Sequence, residues 1–335
     1  MTFPNQLKFA TDAPLSPAEP SQTRPHPAPG LKLIFVGRNG LRAGWRLLIF
    51  AVLIVGLVGG FLLIRNGGVQ GFLEAKKHAA EITVTPLLML VSEGMAFLLV
   101  CVATLIMGKI EHREFSDYGL PLRRALGKDF WIGCSSGFLA ISGTLLAMFL
   151  LGGFRITGFT LHGTAILTSV AAWGIAFLVV GLCEEFMVRG YVQYTLTSGI
   201  GFWPAAFVMC GMFAFGHSFN SNETAVGVVS TGLIALLLCL FLRRTGNLWC
   251  AVGFHAAYDW GQTLFGVPDS GMLPYHSVFN CVLSGPRWLT GGIVGPEASV
   301  LTPIALVVVA LIFSRYHREN RYPMIESGSL PATGS

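Results

Sequence analysis

Charge is what this chain has least of. Only 12% of its 335 residues are Asp, Glu, Lys or Arg, against 53% hydrophobic residues. A soluble domain carries roughly 25% charged residues, so this composition excludes an ordinary soluble enzyme and makes the bilayer the expected solvent. A secretory leader is also missing: residues 1–30 hold seven prolines and no apolar stretch. That segment reads as a disordered tail. Cysteine gives no disulfide framework, because the seven present are odd in number. Six of them (Cys101, Cys134, Cys183, Cys210, Cys239 and Cys250) sit in apolar runs, where a thiol packs as a small hydrophobe. No polar block is large enough to form a second core, so one membrane domain is expected over residues 44–315, between a tail at 1–43 and a short one at 316–335.

What the chain does have is long apolar runs. A hydrocarbon core about 30 Å thick needs about 20 apolar residues in a helix, and eight runs qualify approximately: Trp45–Ile64, Pro86–Gly108, Phe130–Phe154, Gly163–Cys183, Phe202–Phe219, Ala225–Leu242, Asn247–Gly266 and Ser299–Ser314. The fold class expected is an all-α bundle of about eight transmembrane helices with its site in a cavity within the bundle. With both termini on one side, that side holds seventeen Lys and Arg residues and the other holds five: Arg65, Lys76, Lys77, Arg155 and Arg287. Cytoplasmic loops retain positive charge, so both termini are expected in the cytoplasm of a cell whose inner membrane carries the protein. The net charge of +5 then reports orientation and not nucleic-acid binding. Residues 267–298 form the one long loop, on the far side, where they are expected to cap the bundle. The run Leu330–Gly334 reads LPATG, a sortase-type pattern, but lacks the downstream apolar stretch and basic tail such a signal needs.

Ionisable residues at membrane depth are costly and mark function by default. Four places carry them. In Cys183-Glu184-Glu185-Phe186-Met187-Val188-Arg189, Glu185 and Arg189 are spaced i, i+4 with the acid first, the better order for a helical ion pair. Glu184 points about 100° away and keeps its carboxylate free to take a proton. His217 closes Phe213-Ala214-Phe215-Gly216-His217. If the chain turns in Thr197-Ser198-Gly199-Ile200-Gly201, Glu184 and His217 fall at nearly the same level of a helix hairpin. His255 and Asp259 again share a helical face, and Asp259 can accept from the imidazole and fix its tautomer. The bland readings are a charged helix end, a packing histidine and a self-satisfied polar pair, respectively. Glu93, alone in its run, is left outside the site.

Together the three motifs, Glu184-Glu185-x-x-x-Arg189, Phe213-x-x-x-His217 and His255-x-x-x-Asp259, resemble in order and apolar context the signature of the CPBP family of intramembrane glutamate endopeptidases, which includes CAAX prenyl proteases and bacteriocin-processing enzymes. The resemblance covers roughly residues 120–265. It implies that Glu184 is the base that activates water, that His217 holds that water, and that Glu185 and Arg189 support the base. His255 and Asp259 would stabilise the oxyanion. Asp259 stands where many relatives have Asn, and an ionised Asp cannot donate a hydrogen bond. The preferred role for Asp259 is therefore to orient His255 as the donor.

The function expected is hydrolysis of a peptide bond in a membrane-associated peptide or protein by glutamate-activated water. The alternative is a non-catalytic scaffold or immunity-type binding protein of the same fold. A transporter ranks behind both, because no internal repeat or broken helix supports it. No cofactor is expected. Zinc on Glu184, His217 and His255 is the runner-up, without an HExxH spacing to support it. The expected partners are the membrane-bound substrate and the lipid bilayer, with no nucleic acid.

Overall fold

The computed structural model describes residues 36–37, 40–77, 83–220, 223–272 and 275–322. The tail over 1–35 and the LPATG run lie outside them.

Among the described residues, eight longer helices run alternately up and down: α1 (Ala43–Arg65), α3 (Pro86–Glu111), α4 (Lys128–Leu150), α5 (Thr164–Arg189), α7 (Phe202–His217), α8 (Ala225–Thr245), α9 (Trp249–Phe265) and α11 (Leu301–Tyr316). Shorter helices α2 (Val69–Lys77), α6 (Tyr191–Ile200) and α10 (Arg287–Thr290) lie between them. The chain is a multi-pass membrane protein. Five helical segments are long and apolar enough to cross a bilayer: α1, α3, α4, α8, and α5 continued by α6. All eight expected runs are helical, and three of them are shorter than these five. At 16, 17 and 16 residues, α7, α9 and α11 extend only about 24–26 Å, and α9 compensates by burying most of its surface in protein.

Helix ends follow local chemistry. Thr85 caps α3 by accepting from the Leu88 amide at 3.2 Å, with Pro86 at the first helical position. Thr224 caps α8 in the same way. The turn expected near residues 198–201 occurs at Gly201, whose φ of +86° is a left-handed value that favours glycine. The fourth span runs past its expected end at Cys183 to Arg189, and after Gly190 the chain resumes as α6.

Side chains set which helices touch. Val52, Val55 and Ile64 of α1 are exposed, as a helix bathed in hydrocarbon requires. In contrast, α9 packs chiefly on α4 and α5, and glycines make this possible. A Cβ on Gly133 or Gly137 of α4 would lie 2.1 or 2.2 Å from the carbonyl oxygens of Cys250 and Phe254. One on Gly253 of α9 would lie 2.2 Å from the Phe130 oxygen, and one on Gly181 of α5 would lie 2.9 Å from the Val252 oxygen. Gly133-x-x-x-Gly137 is thus a small-residue seam that lets two backbones meet.

One end of the bundle gathers the starts of α1, α4, α7 and α9 with the ends of α3, α6 and α8. Arg46 pairs with Glu111, Arg113 donates to the Tyr194 hydroxyl at 2.6 Å, Asn247 donates to Asp129 at 2.8 Å, and Gly199 packs on Ala43. The opposite end is roofed by the long loop, as expected, but with structure that periodicity did not announce. Strand β1 (Phe154–Phe159) pairs antiparallel with β2 (Phe279–Leu283). A 3-10 turn at Pro296–Ala298 leads into α11.

Candidate active site

Glu184 and Glu185 are adjacent on α5 and meet different surroundings. The Glu185 side chain is completely buried. One Arg189 nitrogen donates to both of its oxygens, at 3.0 and 2.9 Å, and the other donates to the Ala235 carbonyl of α8 at 3.1 Å. This satisfies the pair where an unpartnered charge could not persist. The Glu184 side chain keeps 27% exposure, so its carboxylate reaches the cavity while its neighbour does not.

His255 joins the two. Its Nδ1 lies 2.9 Å from Glu185 Oε1, to which it donates. Its Nε2 lies 3.2 Å from Asp259 Oδ2 and 3.7 Å from Glu184 Oε2. The sequence pairing of His255 with Asp259 is present, and the contact of Glu185 with His255 was not foreseen. Arg189, Glu185, His255, Asp259 and Glu184 form one continuous polar chain from α5 to α9.

His217 stands apart from that chain. Its Nδ1 is 2.9 Å from the Phe213 carbonyl one turn back. A carbonyl only accepts, so Nδ1 carries the proton and Nε2 is left as an acceptor. His217 nonetheless lines the same cavity as Glu184, His255 and Asp259, a space of about 650 Å³. Phe177, Val180 and Phe254 supply apolar wall. Glu93 of α3, a residue the sequence reading left outside the site, also lines it.

Two further carboxylates were missed. Asp269, in the loop after α9, and Glu297, in the 3-10 turn, are buried. Their side-chain oxygens and that of Asp259 all lie within 4.8 Å of one another. Burial, and next the Asp259 charge, hold both carboxyls above their ordinary values. The signal in the sequence was faint: single acids in a Gly- and Pro-rich loop look like solvated turn residues until the loop is seen to fold over the cavity.

This arrangement offers a water-accessible carboxylate, a second imidazole with a free acceptor, and a hydrogen-bonded imidazole aimed at the same space, all within apolar walls. Residues 164–261 match the family described as Type II CAAX prenyl endopeptidase Rce1-like. No curated protein matches the chain. The matched segment is narrower than the 120–265 expected, yet it runs from α5 into α9 and includes all three motifs. Over residues 164–261, this multi-pass membrane protein is similar to the CAAX (CPBP) protease family.

Proposed function

We propose that the protein is an intramembrane endopeptidase in which Glu184 activates water against a peptide bond of a membrane-associated peptide or protein. The observation that carries this reading is the unequal environment of the two glutamates: Glu185 is locked by Arg189 and His255, whereas Glu184 is reachable from the cavity.

In the proposed reaction a water donates one hydrogen bond to Glu184 and the other to Nε2 of His217. Glu184 takes a proton as the water oxygen bonds to the carbonyl carbon. The developing oxyanion accepts from His255 Nε2–H, whose ring is held by Glu185 at Nδ1 and steadied by Asp259. The Glu184 acid then gives its proton to the leaving nitrogen, the C–N bond breaks, and a carboxylic acid and an amine depart. Residue types and positions supply each step, and no cofactor is required. General-base help of this kind contributes about 10²–10⁴ in rate.

The bundle end rich in arginine is proposed to be cytoplasmic, with both termini there. The cavity reaches the other end, where Val84, Asn220 and Met272 line it. Comparison of membrane peptides from cells producing the native protein or Glu184→Gln tests this reading. Substrates should accumulate intact with the variant and be cleaved by the native protein. Identical peptide profiles would remove the proposed base.

A further inference from the structure

Five carboxylates line the cavity: Glu93, Glu184, Asp259, Asp269 and Glu297. Facing them are the imidazoles of His217 and His255, with no Lys or Arg among the described lining residues. Arg189 is already committed to Glu185. The surplus of acid is concentrated where Asp259, Asp269 and Glu297 bring their oxygens within 4.8 Å of one another.

The surrounding groups are donors and acceptors of the same hard type. Gln262 Nε2 donates to Asp269 at 3.1 Å and to Glu297 at 3.0 Å, and Ser270 donates to the other Glu297 oxygen at 2.7 Å. One buried polar atom here has no hydrogen-bond partner: the Gln262 side-chain oxygen, on a residue with 0% exposure. The Gln262 carboxamide touches two of the carboxylates. Tyr258 lines the cavity alongside all three and sits within their electrostatic reach. Buried polar groups are rarely left unpaired without cause.

We propose that Asp259, Asp269 and Glu297 form a divalent-cation site, completed by the Gln262 side-chain oxygen when the carboxamide turns over and exchanges the nitrogen that faces Asp269 and Glu297 for that oxygen. All its donors are oxygen, which suits Ca²⁺, Mg²⁺ or Mn²⁺ and not zinc, whose sites favour nitrogen and sulfur. The ion performs no hydrolysis. It binds the Asp259 carboxylate and pins the loop carrying Asp269 and the turn carrying Glu297 onto α9. A second consequence rests on the hydrolase reading: the ion fixes the Asp259 carboxylate that steadies the His255 ring.

The test is the thermal midpoint of the full chain in detergent, stripped with EDTA and titrated with CaCl₂, MgCl₂ or MnCl₂ against NaCl of equal ionic strength. The native protein should gain about 5 °C at saturation with at least one divalent ion. Glu297→Gln and Asp269→Asn should lose that gain, with midpoints in EDTA at or above the native value showing that they fold. Glu184→Gln should keep it, so failure of the base assignment and failure of the cation site are read separately. No divalent-specific shift in the native protein, or a shift that persists in both carboxamide variants, would overturn the site.

Discussion

Residue by residue, burial decides which charged groups are structural and which are free to act. Arg189 and Glu185 are sealed together, and Arg189→Met would leave a carboxylate buried beside His255 with its main counter-charge gone. The expected loss is about 3–5 kcal/mol, measured by denaturation in detergent, with Glu185→Gln added to Arg189→Met recovering part of it. Asp269 and Glu297 behave in the opposite sense. Their carboxyls are raised in the folded state, so the native protein holds more protons than the unfolded chain as pH climbs above the ordinary carboxylate range. The stability these two carboxyls contribute in chelator is therefore fully present at low pH and is lost as pH rises through the raised values. Glu297→Gln should flatten that slope in a series of thermal midpoints. The i, i+4 spacings of Glu185 with Arg189 and of His255 with Asp259 were legible because helical periodicity alone places those side chains together. The bond from His255 to Glu185 was not, since it depends on how α9 is rotated against α5.

At the scale of the helix, that rotation is set by residues without side chains. Gly133 and Gly137 bring α4 into backbone contact with α9, and the second contact falls on Phe254, next to His255. Gly137→Val should force the helices apart, displace His255 from Glu185, and reduce both thermal stability and proteolysis. Gly143→Ala, on the same helix with open space around it, should leave both unchanged. The role of Gly133-x-x-x-Gly137 was not legible in the sequence, because periodicity does not say which helix a seam faces. By contrast, the register between Glu184 and His217 could be counted from the turn at Gly201. The break at Gly190 and the short lengths of α7, α9 and α11 could not be counted. Apolar composition runs past the true helix ends into loops that are themselves buried.

For the whole molecule, the eight alternating helices put the starts of α1 and α4 at the same end as the close of α8 and the segment after α11, where Arg321 and Tyr322 donate to the Arg243 carbonyl. The start of α1 and the described segment after α11 therefore both lie at the basic end of the bundle. Cysteine labelling in right-side-out vesicles should find added cysteines near residues 30 and 325 protected, and one at Asn220 reactive. The opposite pattern would reverse the proposed orientation. The loop over 267–298 was legible as a cap from its length and its place between two helices. Its contribution of Asp269 and Glu297 to the cavity was invisible, since those acids meet Asp259 only once β2 has paired with the distant β1.

The account depends most on Glu184 as the group that takes the proton from water. Its most direct test is the single-turnover rate of the full chain in proteoliposomes, in the presence of a chelator, on a membrane peptide it cleaves, for the native protein and for Glu184→Gln. The expected result is a fall of about 10² or more with the thermal midpoint maintained. A variant that is folded and cleaves at the native rate would contradict it.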